Sequence, residues 1–229
     1  MPNNPFTERD KTCILVEDSI RKFVNDKVND NITRTFHPDE LTGCERKILY
    51  ASGSSNHKIS KTNLEYNSEH FAKLKWIHLL NQIQDIKVLD CWVVASDAKY
   101  NMLTKVDCVI EISACENLQE VVYIRSISDS DFNKVKENGP TRRDTIRITI
   151  DMWLIEITQG IIIYENRDSL DFIIYGVSPK NVIVNAIKEK ARELYGHKVC
   201  GSFPPRPYKT HSTKECQECE FFKKCWDGT

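Results

Sequence analysis

The chain has 229 residues, 40% of them hydrophobic and 28% charged, enough for one substantial core with appendages. Thirty-two basic and 33 acidic side chains leave a formal net charge of −1, so a nucleic-acid partner must be met by a local basic patch, not by overall charge. No uncharged apolar run is long enough to cross a bilayer, and the opening MPNNPFTERDK lacks the apolar centre of a signal peptide. The expectation is a soluble cytoplasmic protein with no membrane attachment.

In chain order, Val16, Ile20, Phe23 and Val24 recur at three-to-four spacing and predict an amphipathic helix over about 12–29. HPDELTGCERKILYASG predicts a second helix, with Pro38 in its first turn and Gly53 just past its end. A polar loop over 54–66 leads to a third helix, NSEHFAKLKWIHLLNQIQD, with Phe71, Leu74, Ile77, Leu80 and Ile83 as its apolar set. Three β-rich runs follow, KVLDCWVVASDA, LTKVDCVIEISA and EVVYIRSIS, and their short polar links predict a meander of three strands. After the breaker ENGP, TRRDTIRITIDMWLIEIT reads as a helix, IIIYE and DFIIYGV as two strands, and VIVNAIKEKARELYG as a closing helix ended by Gly196. A Pro-rich loop then runs into a cysteine-bearing tail. The expected fold is one α/β domain, a mixed sheet wrapped by helices.

Nine cysteines is a high and odd count. In a reducing compartment a cysteine cluster points to a metal or an iron–sulfur group before a disulfide framework. Cys216-Gln-Glu-Cys219 lets one turn of backbone aim two thiols at one centre, and Cys225 lies within reach of a short loop. Cys44, in the polar stretch LTGCERK, completes a set of four. His211 is the alternative fourth ligand, for a zinc knuckle confined to the tail. Four thiolates suit either tetrahedral zinc or an iron–sulfur cluster. Cys13, Cys91, Cys108, Cys115 and Cys200 are expected to be small core residues.

The HP-x-x-L-x-x-C-x-R-K-x-x-Y stretch around Cys44, followed by FPPRP and C-x-x-C-x-x-x-x-x-C, resembles the iron–sulfur branch of the RecB-like PD-(D/E)XK nuclease superfamily, which includes CRISPR-adaptation exonucleases and AddB-type nuclease domains. The resemblance runs from about Phe36 to Trp226. It implies an N-terminal helical segment over 1–35, a restriction-endonuclease-like core over 36–199 and a tail over 200–229. It also implies a [4Fe–4S] cluster on Cys44, Cys216, Cys219 and Cys225 that staples the two ends together, with zinc as the alternative occupant.

Such nucleases hold one or two divalent ions, Mg or Mn, that polarise the phosphate and activate water. Their G-x-x-x-H helix is matched by LKWIH, with Leu74 for the glycine and His78 as a candidate metal ligand. LTKVDCVIEI resembles the strand that carries the first carboxylate, so Asp107 is the second candidate. An aspartate in an apolar strand is costly unless paired or bound to a cation. The E-x-K strand is matched by Tyr123 and Arg125, which replace the acid and the lysine. A phenol is a poor divalent-ion ligand, and arginine stays protonated. Shifting the register to Glu120 leaves Val122 in the lysine position, and Glu111, four residues from Asp107, lies roughly 13 Å along the strand. The family's next element is a helix with Q-x-x-x-Y that contacts the substrate strand; the corresponding helix here lacks a clear glutamine and tyrosine but offers Arg142, Arg143 and Arg147 as a phosphate-binding stripe, with Asp151 beyond.

Three functions compete. The first is an iron–sulfur nuclease-fold protein, catalytically impaired, that binds DNA (single strands or duplex ends) or a protein partner in a DNA-processing complex for replication, recombination or repair. The second is an active metal-dependent exonuclease that recruits a substitute acid, and the third a protein-interaction module without DNA binding. Fold alone does not separate them.

Overall fold

The structure, a computed structural model, describes Phe36, Pro38 and residues 41–53, 63–113 and 118–227. All lie in the second of the two units into which the chain divides, Thr35–Thr229. The helix expected over 12–29 falls outside the described residues. In chain order the elements are α1 (Glu45–Gly53), α2 (Asn63–Leu80), β1 (Ile86–Cys91), β2 (Val94–Asp97), β3 (Met102–Lys105), β4 (Cys108–Ile112), β5 (Leu118–Ile127), α3 (Asp129–Asn138), α4 (Arg142–Leu154), β6 (Gly160–Asn166), β7 (Phe172–Val177), α5 (Asn181–Val199), α6 (Lys214–Gln217) and α7 (Phe222–Trp226).

β5 is central. Its alternation gives each face an apolar set, and both are covered. Val122 and Ile124 join Cys108, Ile110 and Ile163 under Trp76 and Leu80 of α2. Val121 and Tyr123 join Ile162 and Tyr164 under Phe132 and Val135 of α3 and Ile148 and Met152 of α4. The main sheet has the order β1-β4-β5-β6-β7, with β5 and β6 parallel and the other pairs antiparallel. A further core packs Ile150 of α4 against Ile187, Ala191 and Leu194 of α5, with Ile48 and Leu49 of α1.

The expected three-strand meander is two sheets. The first β-rich run breaks at Trp92, whose backbone is left-handed (φ 60°), and the second breaks between Lys105 and Cys108. β2 and β3 then pair as a separate ribbon, while β1 and β4 pair in the main sheet.

The helices also depart from expectation. α1 begins at Glu45, after a turn, so Cys44 stands at its entrance, where its carbonyl accepts the Ile48 amide at 3.2 Å. α2 spans Asn63–Leu80 and buries Ala72, Trp76 and Leu80, leaving Phe71 and Leu74 exposed; Ile83, expected on this helix, lies beyond its end and is exposed. α3 was not expected, because DSDFNKVKEN offers only Phe132 and Val135 to a core; Ser128 caps its start and Gly139, at φ 80°, follows its end. α5 continues through Gly196 to Val199. Of the cysteines expected inside, Cys108 is buried, Cys91 half-buried and Cys200 exposed, and Cys13 and Cys115 lie outside the described residues. No described helix is long and apolar enough to cross a membrane.

Gly160, at the start of β6, lies under α4. A Cβ there would meet the Ile148 side chain at 2.9 Å, the Met152 sulfur at 3.1 Å and the Val121 carbonyl oxygen at 3.1 Å. Overpacking of this kind costs about 1–3 kcal/mol. Gly160→Ala is expected to lower stability by that amount in urea unfolding, whereas Gly176→Ala, where a Cβ meets nothing within 4 Å, serves as the control.

Candidate nuclease site and cysteine centre

Asp107 stands where the two sheets part. Val106 turns toward the ribbon, donating its amide to the Val93 carbonyl at 2.8 Å, and β4 begins one residue after Asp107. The Ile124 amide of β5 bonds instead to Asp107 Oδ2 at 2.8 Å. The other oxygen, Oδ1, lies 2.9 Å from Lys73 Nζ of α2. Asp107 is 3% exposed. This buried carboxylate therefore has its charge met by an ammonium and one lone pair by a backbone donor, as burial demands.

His78 does not reach it. It lies on the exposed side of α2, its ring hydrogen-bonded to the Gln82 amide nitrogen at 2.9 Å. Five residues on from Lys73, it is about 140° round the helix. The four-residue pair that α2 brings to the corner is Glu69 and Lys73, 3.6 Å apart. His70, one residue on from Glu69, stacks on Trp92 with ring centres 5.4 Å apart. The sequence did not point to Glu69 or Lys73, and their i,i+4 spacing looks like any surface ion pair.

Tyr123 and Arg125 do stand together beside this corner on β5. Arg125 Nη1 donates to Glu69 Oε1 at 3.3 Å and to the Tyr123 hydroxyl at 3.4 Å, and its Nε lies 3.6 Å from Asp144 Oδ1. Burial works to lower the Arg125 pKa, but the charges of Tyr123, Glu69 and Asp144 outweigh it and hold the guanidinium above its ordinary range. The Tyr123 ring is shared by three cations: Lys73 and Arg125 each lie 5.9 Å from its centre, and Arg147 lies 5.6 Å from it. A phenyl face attracts cations without binding a divalent ion.

Arg147, expected in a phosphate-binding stripe, is 6% exposed. Its Nε donates to both Asp151 oxygens at 3.2 and 3.0 Å, and its Nη2 donates to the Lys105 carbonyl at 2.7 Å. Ridge geometry on α4 turns it inward, so Arg142 and Arg143 alone of the three are exposed. Asp144 accepts from the Tyr164 hydroxyl at 2.7 Å and from Thr141 Oγ1 at 2.6 Å. Asp151 accepts from Thr104 as well as from Arg147. Glu111 lies along β4, opposite Lys87 and Gln119.

The corner thus holds Glu69, Asp107, Asp144 and Asp151 against Lys73, Arg125 and Arg147. Both Asp107 oxygens are engaged by protein donors, and β5 presents a phenol and a fixed cation beside them. Among the described residues, at this corner or elsewhere and the cysteines included, no group of three or more His, Cys, Asp or Glu side chains is placed to hold a metal ion.

The four candidate cysteines share one cavity without forming a metal-holding group. Cys44, Cys216, Cys219 and Cys225 all line one cavity, with Tyr50, Phe221, Phe222 and Trp226 among its apolar walls and Arg46, Lys47 and Arg206 among its cations. His211 is not among the lining residues; its ring meets Phe222 and Trp226 edge-on, at 5.9 and 5.7 Å. The tail is fastened to α1 by protein contacts. Arg46 Nη1 donates to the Pro204 carbonyl at 2.9 Å, the Tyr50 hydroxyl donates to the Lys224 carbonyl at 3.4 Å, and the Tyr50 ring lies 4.5 Å from that of Phe203. Arg206 holds the Cys225 carbonyl through Nε and Nη2 at 3.2 and 2.7 Å and lies over the Trp226 ring. Burial works to lower the Arg46 pKa, and hydrogen bonding and charge from Tyr50 and Cys225 raise it overall. Arg46 Nε and Thr213 Oγ1, the latter at the foot of α6, are buried without a hydrogen-bond partner.

No protein-family model and no curated protein sequence matches the chain. Solved structures do. The crystal structure of SSO0001 is similar with a TM-score of 0.58 and 16% identity, over 90% of this chain and 93% of that one. The alkaline exonuclease LHK-Exo from Laribacter hongkongensis is similar with a TM-score of 0.57 and 7% identity, over 73% of this chain and 89% of that one. Its complex with dAMP gives 0.56 and 7%, over 74% and 90%. The chain shares the fold of these structures, here a five-stranded mixed sheet flanked by helices.

Burial pushes the Asp151 carboxyl up to about 6; Arg147 and Thr104 oppose this, and the negative charge of Asp107 adds to it. Because that value lies above the ordinary 3.8, the contribution of Asp151 to stability is complete below about pH 3.8 and is lost as pH rises through 6. Measured by urea unfolding, the stability of the natural protein relative to Asp151→Asn is expected to fall between pH 4 and 6 and to level off above 7. A rise across that window would mean that Arg147 outweighs burial.

Proposed function

We propose that this chain is a nuclease-fold DNA-binding protein whose cutting centre has been lost and whose tail is held to Cys44 by a [4Fe–4S] cluster. The observation that carries the loss of cutting is the pair Tyr123 and Arg125, placed on β5 beside Asp107 where the sheets part, with Arg125 ion-paired to Glu69 and Asp144. The family that the sequence resembles needs an acid and a lysine there. At about 5 Å and an effective dielectric near 20, a fixed positive charge opposes a doubly charged ion by on the order of several kcal/mol.

The cluster reading is supported by the four thiols that line one cavity and by the surroundings they share. Arg46, Lys47 and Arg206 offset the negative charge of bound thiolates, and the aromatic walls limit water. Arg46, which lines the cavity, has a buried Nε without a hydrogen-bond partner, a state that native proteins rarely keep and that a sulfur acceptor would relieve. When bound, the cluster supplies a covalent tie between α1 and the tail. Protein purified without oxygen is expected to be brown, with about four irons and four sulfides per chain. Cys44→Ser and Cys219→Ser should abolish the colour equally. A colourless protein with one zinc per chain would replace the cluster by the zinc alternative.

The proposed ligand is DNA, single-stranded or at duplex ends, met by its phosphates. Arg142 and Arg143 begin α4 on an exposed face, and Arg147 takes no part. Replacing Arg142 and Arg143 together by alanine is expected to weaken binding in a fluorescence-anisotropy titration and to reduce the log–log salt slope by roughly 1–2. No binding by the natural protein at low salt would favour the protein-interaction reading.

The second reading, a working exonuclease with a substitute acid, has one observation in its favour. Glu69, Asp144 and Asp151 come to the corner from helices. The expected result is nonetheless no cleavage of end-labelled DNA in magnesium, at most a trace in manganese, and a gain in Tyr123→Glu/Arg125→Lys. Robust magnesium-dependent digestion by the natural protein, abolished by Asp107→Ala, would establish the second reading instead.

A further inference from the structure

An exonuclease-like fold implies a divalent ion at the parting of the sheets, and the residues here disagree with one. The disagreement extends beyond β5. Asp107 keeps its expected place, yet Oδ2 is committed to the Ile124 amide and Oδ1 to Lys73 at 2.9 Å. Lys73 also meets Glu69 at 3.6 Å, and Glu69 in turn meets Arg125 at 3.3 Å.

Magnesium requires oxygens at about 2.0–2.1 Å in a near-octahedral shell. An ion bound that closely to Asp107 Oδ1 would lie against the Lys73 nitrogen, too near for two cations without intervening ligands. The ammonium has three donors and no demand for a fixed shell, so it can bridge Asp107 and Glu69 with neither displaced.

Tyr123 fits the same exchange. A carboxylate in its place would offer oxygen ligands to an ion; the phenol ring instead has Lys73, Arg125 and Arg147 at 5.9, 5.9 and 5.6 Å from its centre. Three cations around one ring is an arrangement for protein cations, not for a hydrated metal.

Resting on the reading that this is a nuclease fold that does not cut, we infer that the Lys73 ammonium is the resident cation of the corner. It stands where the fold would hold a divalent ion, ties α2 to the parted strands through Asp107, and makes the site indifferent to divalent metal. Lys73 is thus a positioning residue whose charge does the structural work of an ion.

The test reads metal uptake, not cleavage. Free Mn²⁺ is followed by electron paramagnetic resonance during titration into the full-length natural protein, Lys73→Ala, Lys73→Met, and each Lys73 variant combined with Asp107→Asn. Heat-unfolding midpoints with and without Mn²⁺ accompany each titration. The natural protein is expected to take up no Mn²⁺ that Asp107→Asn removes, and its midpoint should not move. Lys73→Ala or Lys73→Met should take up one Mn²⁺ per chain at least tenfold more tightly than the natural protein, lose it again with Asp107→Asn, and unfold at a higher temperature when Mn²⁺ is present. Asp107-dependent Mn²⁺ uptake by the natural protein overturns the inference. So does the absence of any gain in both Lys73 variants when they show a cooperative unfolding transition. The second outcome, with natural protein that still cleaves no DNA, removes the role of Lys73 and leaves the proposed function standing. Magnesium-dependent cleavage by the natural protein removes the reading beneath it.

Discussion

The corner depends on one hydrogen bond, from the Ile124 amide to Asp107 Oδ2. β4 and β5 pair from Cys108 and Val122 onward, and just beyond that point the chain of Val106 leaves for the β2–β3 ribbon. A buried amide on the central strand would then lose its partner, at a cost of about 1–3 kcal/mol. The Asp107 side chain supplies what the departing backbone takes away. This puts a negative charge at the parting of the sheets, and every charged neighbour described here can be read as a response to it. Lys73 neutralises it, Arg125 is drawn toward the carboxylates that gather nearby, and Asp151 is pushed toward its protonated form partly by its presence.

The two centres differ in what lines them. At the corner, cations and carboxylates of the chain pair with one another, though Arg125 Nε is buried without a hydrogen-bond partner. Around the cysteines, four thiols line a cavity with aromatic and cationic walls, and Arg46 Nε is likewise buried without a partner. A buried polar group left without a partner is costly, so both centres carry that cost.

What could be read in the sequence followed from how strongly each feature constrains its surroundings. That the tail cysteines share a cavity with Cys44 was legible because thiols at 216, 219 and 225 in a polar tail have little packing use, and that Asp107 is paired because an acid between Val106 and Cys108 has to find a partner. Tyr123 and Arg125 were legible through the two-residue period of β5. α2 was legible as a helix but not in phase. Its apolar residues lie on more than one side, so Phe71 and Leu74 passed for the buried stripe that Ala72, Trp76 and Leu80 form. His78 was named from the likeness of LKWIH to a G-x-x-x-H helix, and the structure sets it on the exposed side of α2, while Glu69 and Lys73 face Asp107 and Arg125. Arg147 misled for a related reason: an arginine four residues before an aspartate has the same spacing in a buried pair as on a solvated face. The break at Trp92 was hidden because a tryptophan in an otherwise β-rich run gives no sign of a left-handed backbone.

The fastening of the tail closes a long loop. Cys44 and Cys225 lie roughly 180 positions apart, and closing so long a loop carries an entropy cost that grows only slowly with length. Here that closure is achieved by Tyr50 between Phe203 and Phe221, by Arg46 on the Pro204 carbonyl, and by Arg206 on the Cys225 carbonyl. None of these contacts involves a thiol side chain. The cavity that Cys44, Cys216, Cys219 and Cys225 line is therefore walled by aromatic packing and by arginines on backbone carbonyls, and its two sides, far apart in sequence, are joined without any bond between sulfurs.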